Sequence, residues 1–486
     1  MKLLLKWQIL LPLLKKIVNG LAWIYRPFHP LFAFINRLWQ RLSPFYKNVV
    51  FGLLITLLLI GLRHGQWISE LEDLSVDWMM TLYRGDLVKE NTPPFVILDI
   101  DEETYQAWGE PFITPRDKLL KLLHFAVQAQ AKLIIVDIAI DEQPHLAKGL
   151  LHPHDLALQY YLADYDKRYC SDSDCPAILL TRTFRLPKGI KPFNPNTPPY
   201  YLAQRPSFLD KIVMRSSYIY WGSTQFEREH DRLLRRWNLW IPTCTQMVSD
   251  IIPSMPLLAA TLLVEEEKSG VLPCSCRLRH HLNYFLPNCQ KSPQKWTSDG
   301  LRHKPTEFVV SQDLVFDLHP TRLSRRMLYT IPWYLNPGKT LPTVSDGREL
   351  LTIMSANKIL NKSVSDKALR DSVTIIGGSY LAGRDWHATP LGWMPGLLVL
   401  VNSIQSLLQY GILQPPSNWW ILLFATILIM LTSWLLIQYG QLWGAIYSVF
   451  LIIALIPLSF VLFKYGIWLS FAIPWAAVQL RQMIDF

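Results

Sequence analysis

Short apolar runs alternate with amphipathic stretches through the middle of the chain. The runs Phe95–Ile100 and Leu133–Ile138 are almost wholly apolar, as buried strands are. Between them Thr114-Pro115 precedes leucines at helical spacing, which predicts a helix that begins with a threonine cap and a proline in its first turn. Two buried strands joined by a helix indicate a right-handed crossover in a parallel sheet covered on both faces.

The same alternation continues towards the C-terminus. Further helices are predicted at Asp155–Leu162, Gly347–Leu360 and Leu398–Tyr410, the last leading into the membrane part, and further strands at Ala177–Thr181, Tyr218–Trp221 and Val373–Ile376. The pattern therefore predicts an α/β layered domain around a mostly parallel sheet of at least five strands.

Longer apolar segments predict membrane spans on both sides of this domain. The predicted spans are residues 48–64, Trp419–Gln438, Trp443–Phe463 and Ile467–Leu480. The predicted organisation is a basic juxtamembrane segment at 1–47, one span at 48–64, a periplasmic domain at 65–417 and three transmembrane helices at 418–486. We expect a four-span α-helical membrane part, with one span before the domain and three after it.

The basic charge is concentrated at the N-terminus. Nine of the 48 lysines and arginines precede Glu70, where no acidic residue occurs, and the remaining chain carries 39 basic and 38 acidic groups. This distribution disfavours a nucleic-acid-binding protein and is typical of a cytoplasmic segment beside anionic lipid. Both termini are then predicted to be cytoplasmic, because four spans return the chain to its starting side.

The cysteines all fall in the middle of the chain, which indicates an oxidising compartment for that region. They are Cys170, Cys175, Cys244, Cys274, Cys276 and Cys289. Six cysteines allow fifteen pairings. Cys170 and Cys175 can close a short loop, whereas Cys274 and Cys276 are expected to reach Cys244 and Cys289. The alternative is a metal site formed by Cys274, Cys276, His280, His281 and Cys289, although its spacing is not that of a zinc ribbon.

Acidic residues lie at the carboxyl ends of the first two predicted strands. They are Asp99, Asp101, Glu102 and Glu103 at the end of the first, and Asp137, Asp141 and Glu142 at the end of the second. Ligands bind at the carboxyl edge of open α/β sheets, so these residues suggest a shared cation or small-molecule site. The alternative is that Asp101 caps the next helix while the others are solvated or paired with Arg116.

A second candidate for this site follows the last strand. Gly377, Gly378 and Ser379 form a strand-to-turn junction, but Arg384 and Asp385 replace the lysine and hydroxyl residue of a phosphate-binding loop. We therefore expect a tight turn with positive φ at the glycines and no nucleotide cofactor.

His387 lies two residues after Asp385, and the two are a candidate acid–base pair. The sequence shows no recognisable serine or cysteine nucleophile pattern to accompany this pair. We predict that the protein is not an enzyme and holds no catalytic metal.

Several motifs together resemble one known family. They are FVILDIDEETYQAWGE at 95–110, TPRDKLLKLL at 114–123, AKLIIVDIAIDE at 131–142 and SVTIIGGSYLAGRDWHATPLGWMPG at 372–396. The chain resembles the type-two cyclase/histidine-kinase-associated sensory extracellular (CHASE type two) domain, and the likeness covers most of Leu71–Pro416. The arrangement of one span before and three after is similar as well.

The resemblance implies a bacterial inner-membrane sensor with a periplasmic domain. Members usually carry a signalling output after the last span, and we expect this chain to signal through a separate protein instead. The expected partners are membrane lipid, a signalling or envelope protein, an unidentified small ligand and a second copy of the chain. The alternatives are a structural or assembly subunit of an envelope complex and an envelope hydrolase.

Overall fold

The computed structural model describes residues 40–61, 66–82, 92–140, 151–170, 175–186, 201–245, 248–265, 274–287, 289, 307–311, 314–317, 325–335, 340–361, 366–411 and 417–464. The helices are α1 (Pro44–Gly61), α2 (Gln66–Leu82), α3 (Glu102–Ala107), α4 (Arg116–Gln128), α5 (Pro153–Ala163), α6 (Tyr165–Tyr169), α7 (Asp210–Arg215), α8 (Met255–Glu265), α9 (Cys274–Leu282), α10 (Ala356–Leu360), α11 (Gly396–Tyr410) and α12 (Asn418–Lys464). The strands are β1 (Phe95–Ile100), β2 (Leu133–Val136), β3 (Ala177–Thr181), β4 (Phe184–Arg185), β5 (Ala203–Gln204), β6 (Ile219–Gly222), β7 (Phe226–Arg228), β8 (Leu234–Trp237), β9 (Trp240–Thr245), β10 (Val248–Pro253), β11 (Glu307–Ser311), β12 (Leu314–Asp317), β13 (Leu351–Ser355), β14 (Val373–Gly378), β15 (Trp386–Thr389) and β16 (Gly392–Pro395).

A central parallel sheet organises the larger part of the molecule. In the described residues it has six strands in the order β13-β1-β14-β2-β3-β6, and every neighbouring pair is parallel. The remaining strands form two-stranded antiparallel ribbons. The predicted α/β layered fold with a mostly parallel sheet is confirmed, and all five predicted strands belong to this sheet.

Both faces of the sheet are buried. Phe95, Ile97 and Ile375 point into one apolar core, which also contains residues of α2, α8 and α11. Val96, Leu98 and neighbouring alternate residues point into the other core, which contains residues of α4 and α5. This alternation explains why the strands read as continuous apolar runs in the sequence.

One predicted helix is wrong over most of its length. Leu351–Ser355 pairs in register with Phe95–Asp99 as the edge strand β13, and only Ala356–Leu360 is helical within the predicted Gly347–Leu360. The five residues LTIMS are rich in β-branched and apolar side chains, and sheet pairing decides their conformation.

The predicted threonine cap of the helix between β1 and β2 that begins near Thr114-Pro115 is also wrong. The helix α4 begins at Arg116 with Pro115 at the N-cap position, and no side chain caps it. Arg116 is buried, bonds the Ala139 carbonyl oxygen and pairs with Asp155 at 3.4 Å. Asp141 and Glu142, two of the acidic residues considered as partners of Arg116, lie outside the described residues, so that pairing stays a prediction.

Two disulfides lie within the described residues. Cys170–Cys175 closes the short loop as predicted. Cys244 bonds Cys289 with a Cα–Cα distance of 5.7 Å, so the expectation that Cys274 and Cys276 pair with these two cysteines is wrong. The second disulfide also removes Cys289 from the alternative metal site.

The chain divides into two compact units. The larger, Leu74–Pro415, holds the sheet, and α11 is buried there over most of its length. The smaller unit contains α1 and most of α12, where Val49 is buried with Ala425 and Ile429.

Evidence for membrane spans differs between the predicted segments. Within the described residues one stretch, Leu422–Gly440, is long and apolar enough to cross a bilayer, whereas Pro44–Leu58 is a shorter apolar helix. The helix α12 is broken at Gly440, where φ is 79° and ψ is 173°, between the predicted spans Trp419–Gln438 and Trp443–Phe463. The predicted span Ile467–Leu480, most of the basic segment 1–47, and Asp141 and Glu142 lie outside the described residues. The four-span arrangement stays a prediction.

Candidate functional site

A cleft of about 690 Å³ opens at the carboxyl edge of the sheet. Its described lining comes from the ends of β1, β2, β3 and β14, from the β7–β8 ribbon and from β15 and the start of α11: Ile100, Phe112, Ile113, Thr114, Asp137, Ile138, Ala139, Thr181, Thr224, Gln225, Phe226, Leu234, Gly378, Tyr380, Gly383, Asp385, His387 and Gly396. This is the edge at which open α/β sheets bind ligands, and the volume suits a small molecule.

Strand register brings Asp137 to the centre of this edge. Its N–H donates to the Ile376 carbonyl oxygen at 2.8 Å, which extends the β2–β14 pairing by one residue. Thr181, the last residue of β3, donates through Oγ1 to the Val136 carbonyl oxygen at 2.9 Å and lies 3.3 Å from Asp137 Oδ1. The carboxylate is therefore oriented by hydroxyl groups of the neighbouring strand end and of Thr224.

Asp137 has a raised pKa, mainly because of burial. The negative charge of Asp385 raises it further, and hydrogen bonds from Thr181 and Thr224 oppose the shift, so that the pKa is about 7. Asp137 therefore takes up or releases a proton near neutral pH when the charge in the cleft changes.

Asp385 lies against the first turn of α11. Its carbonyl oxygen accepts the Gly396 N–H at 2.8 Å, and a Cβ on Gly396 would lie 2.0 Å from Asp385 Oδ2. Glycine at this position leaves room for the carboxylate at the positive end of the helix dipole. Asp385 Oδ1 also lies 2.9 Å from His387 Nε2, which confirms that these two side chains form a pair.

Asp99 and Ser379 bond each other beside the cleft. Asp99 Oδ1 accepts the Ser379 N–H at 3.0 Å and Oδ2 accepts its hydroxyl at 2.6 Å. Burial raises the pKa of Asp99 to about 6 in spite of the hydrogen bonds from Ser379, and the Asp101 charge adds to the rise. These bonds connect the ends of β1 and β14.

Asp101 caps the helix that follows β1. Its Oδ1 accepts the Thr104 N–H at 2.8 Å, and its backbone is extended as at other N-cap positions. The capping alternative stated for Asp101 is confirmed, and the residue lies beside the cleft lining.

The glycines Gly377 and Gly378, which follow the predicted strand Val373–Ile376, do not adopt positive φ. Gly377 and Gly378 continue β14 in extended conformation, so the predicted positive-φ turn is wrong. A Cβ on Gly377 would lie 2.4 Å from Leu397 Cδ2 and 3.1 Å from the Asp137 carbonyl oxygen. Gly377 is needed because α11 and the end of β2 both pack closely against it.

The candidate residues thus separate into two groups. Asp137, Gly378, Asp385 and His387 line the cleft, whereas Asp99, Asp101, Gly377 and Ser379 build the strand ends next to it.

Sequence reasoning missed several lining residues. Thr181 could have been found, because it ends a predicted strand at the same edge. Thr224, Phe226 and Leu234 lie in and before a short ribbon that has no distinctive pattern in the sequence.

The sequence model of the CHASE2 domain matches residues 54–439, which is most of the chain. The protein belongs to the CHASE2 domain family. CHASE2 is an extracellular sensory domain, and this agrees with the family resemblance of the sequence motifs. No curated protein and no solved structure matches the chain significantly.

The CHASE2 domain of this chain also contains a buried ion network next to the cleft. Asp77 on α2 accepts from Arg235 at 2.8 Å and from Arg326, and both arginines are almost fully buried. Arg235 lies directly after Leu234, which lines the cleft. It also pairs with Glu229 at 3.3 Å and with Asp231 at 2.7 Å.

A second chain of contacts joins the cleft to Asp77 through α11. Gly396 lines the cleft, and Asn402 two turns later accepts the N–H groups of Thr330 and Ile331, both at 2.9 Å. Arg326 lies four residues before Thr330 in the sequence, and it bonds Asp77. Two separate elements that line the cleft therefore reach the same carboxylate of α2.

Proposed function

We propose that this protein is a bacterial inner-membrane sensor whose periplasmic CHASE2 domain binds a small ligand in the carboxyl-edge cleft. In this proposal the domain is held between one preceding span and three following spans, and both termini are cytoplasmic. The family match supports the sensory role and the extracytoplasmic placement. The nine N-terminal basic residues support the orientation.

The observation that carries the proposal is the connection of the cleft to Asp77. Leu234 lines the cleft and Arg235 bonds Asp77, so a shift of β8 on ligand binding changes the buried ion pair on α2. Buried charges tolerate only a few arrangements, because an unpaired one is costly. This favours two discrete positions of α2, and the ligand selects one of them.

We propose that a separate membrane or cytoplasmic protein reads this change. The helix α2 follows the predicted first span in the sequence, so its movement is available to a partner at the membrane. Lipid around the spans and a second copy of the chain are further proposed partners.

Binding is favoured over catalysis by the surroundings of His387. Its Nε2 lies 2.9 Å from Asp385, and within the described residues no serine or cysteine side chain is hydrogen bonded to it. A Ser or Cys hydrolase needs such a nucleophile next to its base. We therefore propose a receptor rather than an envelope hydrolase.

Ligand screening on the full chain tests the proposal. We expect at least one compound from a panel of amino acids, amines, sugars and carboxylic acids to raise the thermal unfolding midpoint of the detergent-solubilised protein. With that compound bound, hydrogen exchange should slow in peptides covering the cleft, β8 and Leu74–Leu82 of α2.

The alternative function is a scaffold that binds an envelope partner constitutively. It predicts no stabilisation by any panel compound, together with co-purification of one envelope protein at a fixed ratio. If a compound stabilises the protein but hydrogen exchange in α2 does not change, the domain binds a ligand. The proposed connection from the cleft to α2 through Asp77 is then wrong.

A further inference from the structure

The charge of the cleft limits what it can bind, if it is the ligand site proposed above. Asp137 and Asp385 both line it, and no lysine or arginine does so among the described residues. The charge on Asp385 disfavours ionisation of Asp137, so the two carboxylates repel each other in the empty cleft. An anionic ligand would add to that repulsion.

The protein groups next to these carboxylates only partly compensate their charge. Asp137 is bonded by the hydroxyl groups of Thr181 and Thr224, and the Asp385 carboxylate is bonded by His387. Hydroxyl groups orient a carboxylate without carrying a countercharge. A positive ligand group placed between the two side chains would therefore offset the repulsion between the carboxylates.

The wall of the cleft also contains aromatic and aliphatic side chains. Phe112, Phe226 and Tyr380 contribute rings, and Ile113 and Leu234 contribute aliphatic surface. Phe112 is 97% exposed although it is a large apolar side chain. Aromatic faces attract cations, and apolar surface accommodates the carbon skeleton of an organic molecule.

We propose that the ligand is a small organic cation whose protonated amine is held between the carboxylates of Asp137 and Asp385. An ammonium group has three N–H donors and can bond both carboxylates at once. A metal ion fits less well, because the described residues contain no group of three or more His, Cys, Asp or Glu side chains that could hold one.

A charge series on one carbon skeleton tests this inference. The probes are 1,4-diaminobutane, 4-amino-1-butanol, 1,4-butanediol and succinate, added at equal ionic strength to the full chain in detergent at about pH 8, where Asp137 is ionised. The readout is the unfolding midpoint from tryptophan fluorescence. We expect a saturable rise with the two amines and none with the diol or succinate.

Variants at Asp385 test whether the rise of the unfolding midpoint is due to amine binding in the cleft. Asp385→Asn should weaken binding of 4-amino-1-butanol by about 10- to 100-fold, because a charge-assisted hydrogen bond is lost. Asp371→Asn is the matched control, since Asp371 is 76% exposed and lies before β14, at the opposite end of the strand. Asp385→Lys should raise the midpoint without ligand and abolish the response to amines, because a tethered ammonium then occupies the site.

Each outcome bears on the inference. An equal response to amine and diol, a response to succinate alone, or no response to any probe overturns it. Amine stabilisation that persists unchanged in both Asp385 variants also overturns it, since the amine then binds elsewhere. If a neutral or anionic compound of the panel described under Proposed function stabilises the protein, the inference of a cationic ligand is wrong. The sensor proposal is not affected by that result.

Discussion

Asp99 and Ser379 show how single side chains hold the strand ends in place next to the cleft. The Asp99 carboxylate is buried and bonded twice by Ser379, yet burial still raises its pKa to about 6. Between about pH 4 and pH 6, Asp99 is therefore protonated in the folded protein and ionised in the unfolded chain. Ionising Asp99 in the folded state costs stability.

Asp99→Asn should change how stability depends on pH. Because the folded pKa is raised, the contribution of Asp99 is present below its ordinary pKa of 3.8 and is lost as pH rises through about 6. The shift corresponds to roughly 3 kcal/mol. We expect the variant to gain stability relative to the wild type between about pH 4 and pH 7.

Denaturant unfolding of the full chain across this range measures the effect. The nearby Asp101 is present in both proteins, and Asp371→Asn controls for loss of an exposed carboxylate. If the free energies of unfolding of variant and wild type differ by the same amount at all pH values, Asp99 does not have the raised pKa.

Gly377→Ala should destabilise the domain by about 1–3 kcal/mol, as overpacking does in other cores. The added methyl would overlap Leu397 and crowd the Asp137 carbonyl oxygen, and the latter is backbone that cannot rotate away. Gly61→Ala is a suitable control, because a Cβ there meets nothing within 4 Å. Equal unfolding midpoints for both variants would show that the close approach of α11 to β14 is absent.

At the scale of elements, α2 is attached to the domain by buried charge as well as by apolar contacts. Val76, Met79 and Met80 pack in the core on one face of the sheet. Asp77 on the same helix meets Arg235 of β8 and Arg326. Apolar packing holds the helix on the domain, while the ion pairs fix its position along its axis.

Asp77→Ala should cost about 3–5 kcal/mol, because it leaves two buried arginines with a missing partner. Asp231→Ala removes another carboxylate from Arg235, but Asp231 is 48% exposed, and a loss below about 1 kcal/mol is expected. Denaturant unfolding compares the two. Similar losses would mean that the Asp77 pair is no more important than a surface ion pair.

Removing the two disulfides should have unequal effects. The Cys244–Cys289 bond spans 45 residues and the Cys170–Cys175 bond spans 5. Loop-closure entropy predicts about 4 kcal/mol for the longer loop and about 2 kcal/mol for the shorter one. Double serine variants of each pair, compared by their unfolding midpoints, test this order, and a larger loss for Cys170→Ser/Cys175→Ser would contradict it.

The sequence predicted five strands of the sheet well and missed the edge strand β13. Phe95–Ile100 and Ala177–Thr181 are continuous apolar runs because both faces are covered, and the structure has them with the same bounds. Leu351–Ser355 lies at the sheet edge, and Thr352 and Ser355 interrupt its apolar residues, so the sequence has no continuous apolar run there. Its pairing with β1 joins residues more than 250 positions apart, which local pattern cannot reveal.

The same reasoning explains which parts of the candidate site were found. Asp137 and Asp385 follow recognisable strands, so the edge of the sheet to which they belong could be predicted. The wall formed by Phe226 and Leu234 depends on how the β7–β8 ribbon folds over that edge. The Arg235–Asp77 pair joins residues 158 positions apart and had no signal in the sequence.

For the whole molecule, the central claim is that the CHASE2 domain lies outside the cytoplasm and is joined to the membrane at both ends. The cysteines, the N-terminal basic charge and the family all agree with this placement. Disulfides persist outside the cytoplasm, whereas cytoplasmic thiols stay reduced.

Thiol labelling in intact cells tests this claim most directly. The protein used is Cys274→Ser/Cys276→Ser, which keeps only the four cysteines of the two disulfides. With a membrane-impermeant maleimide we predict no labelling before reduction and labelling from outside the cell once a reductant is added. Thiols that are already reduced, and that react only after the cells are lysed, would place the domain in the cytoplasm and contradict the account.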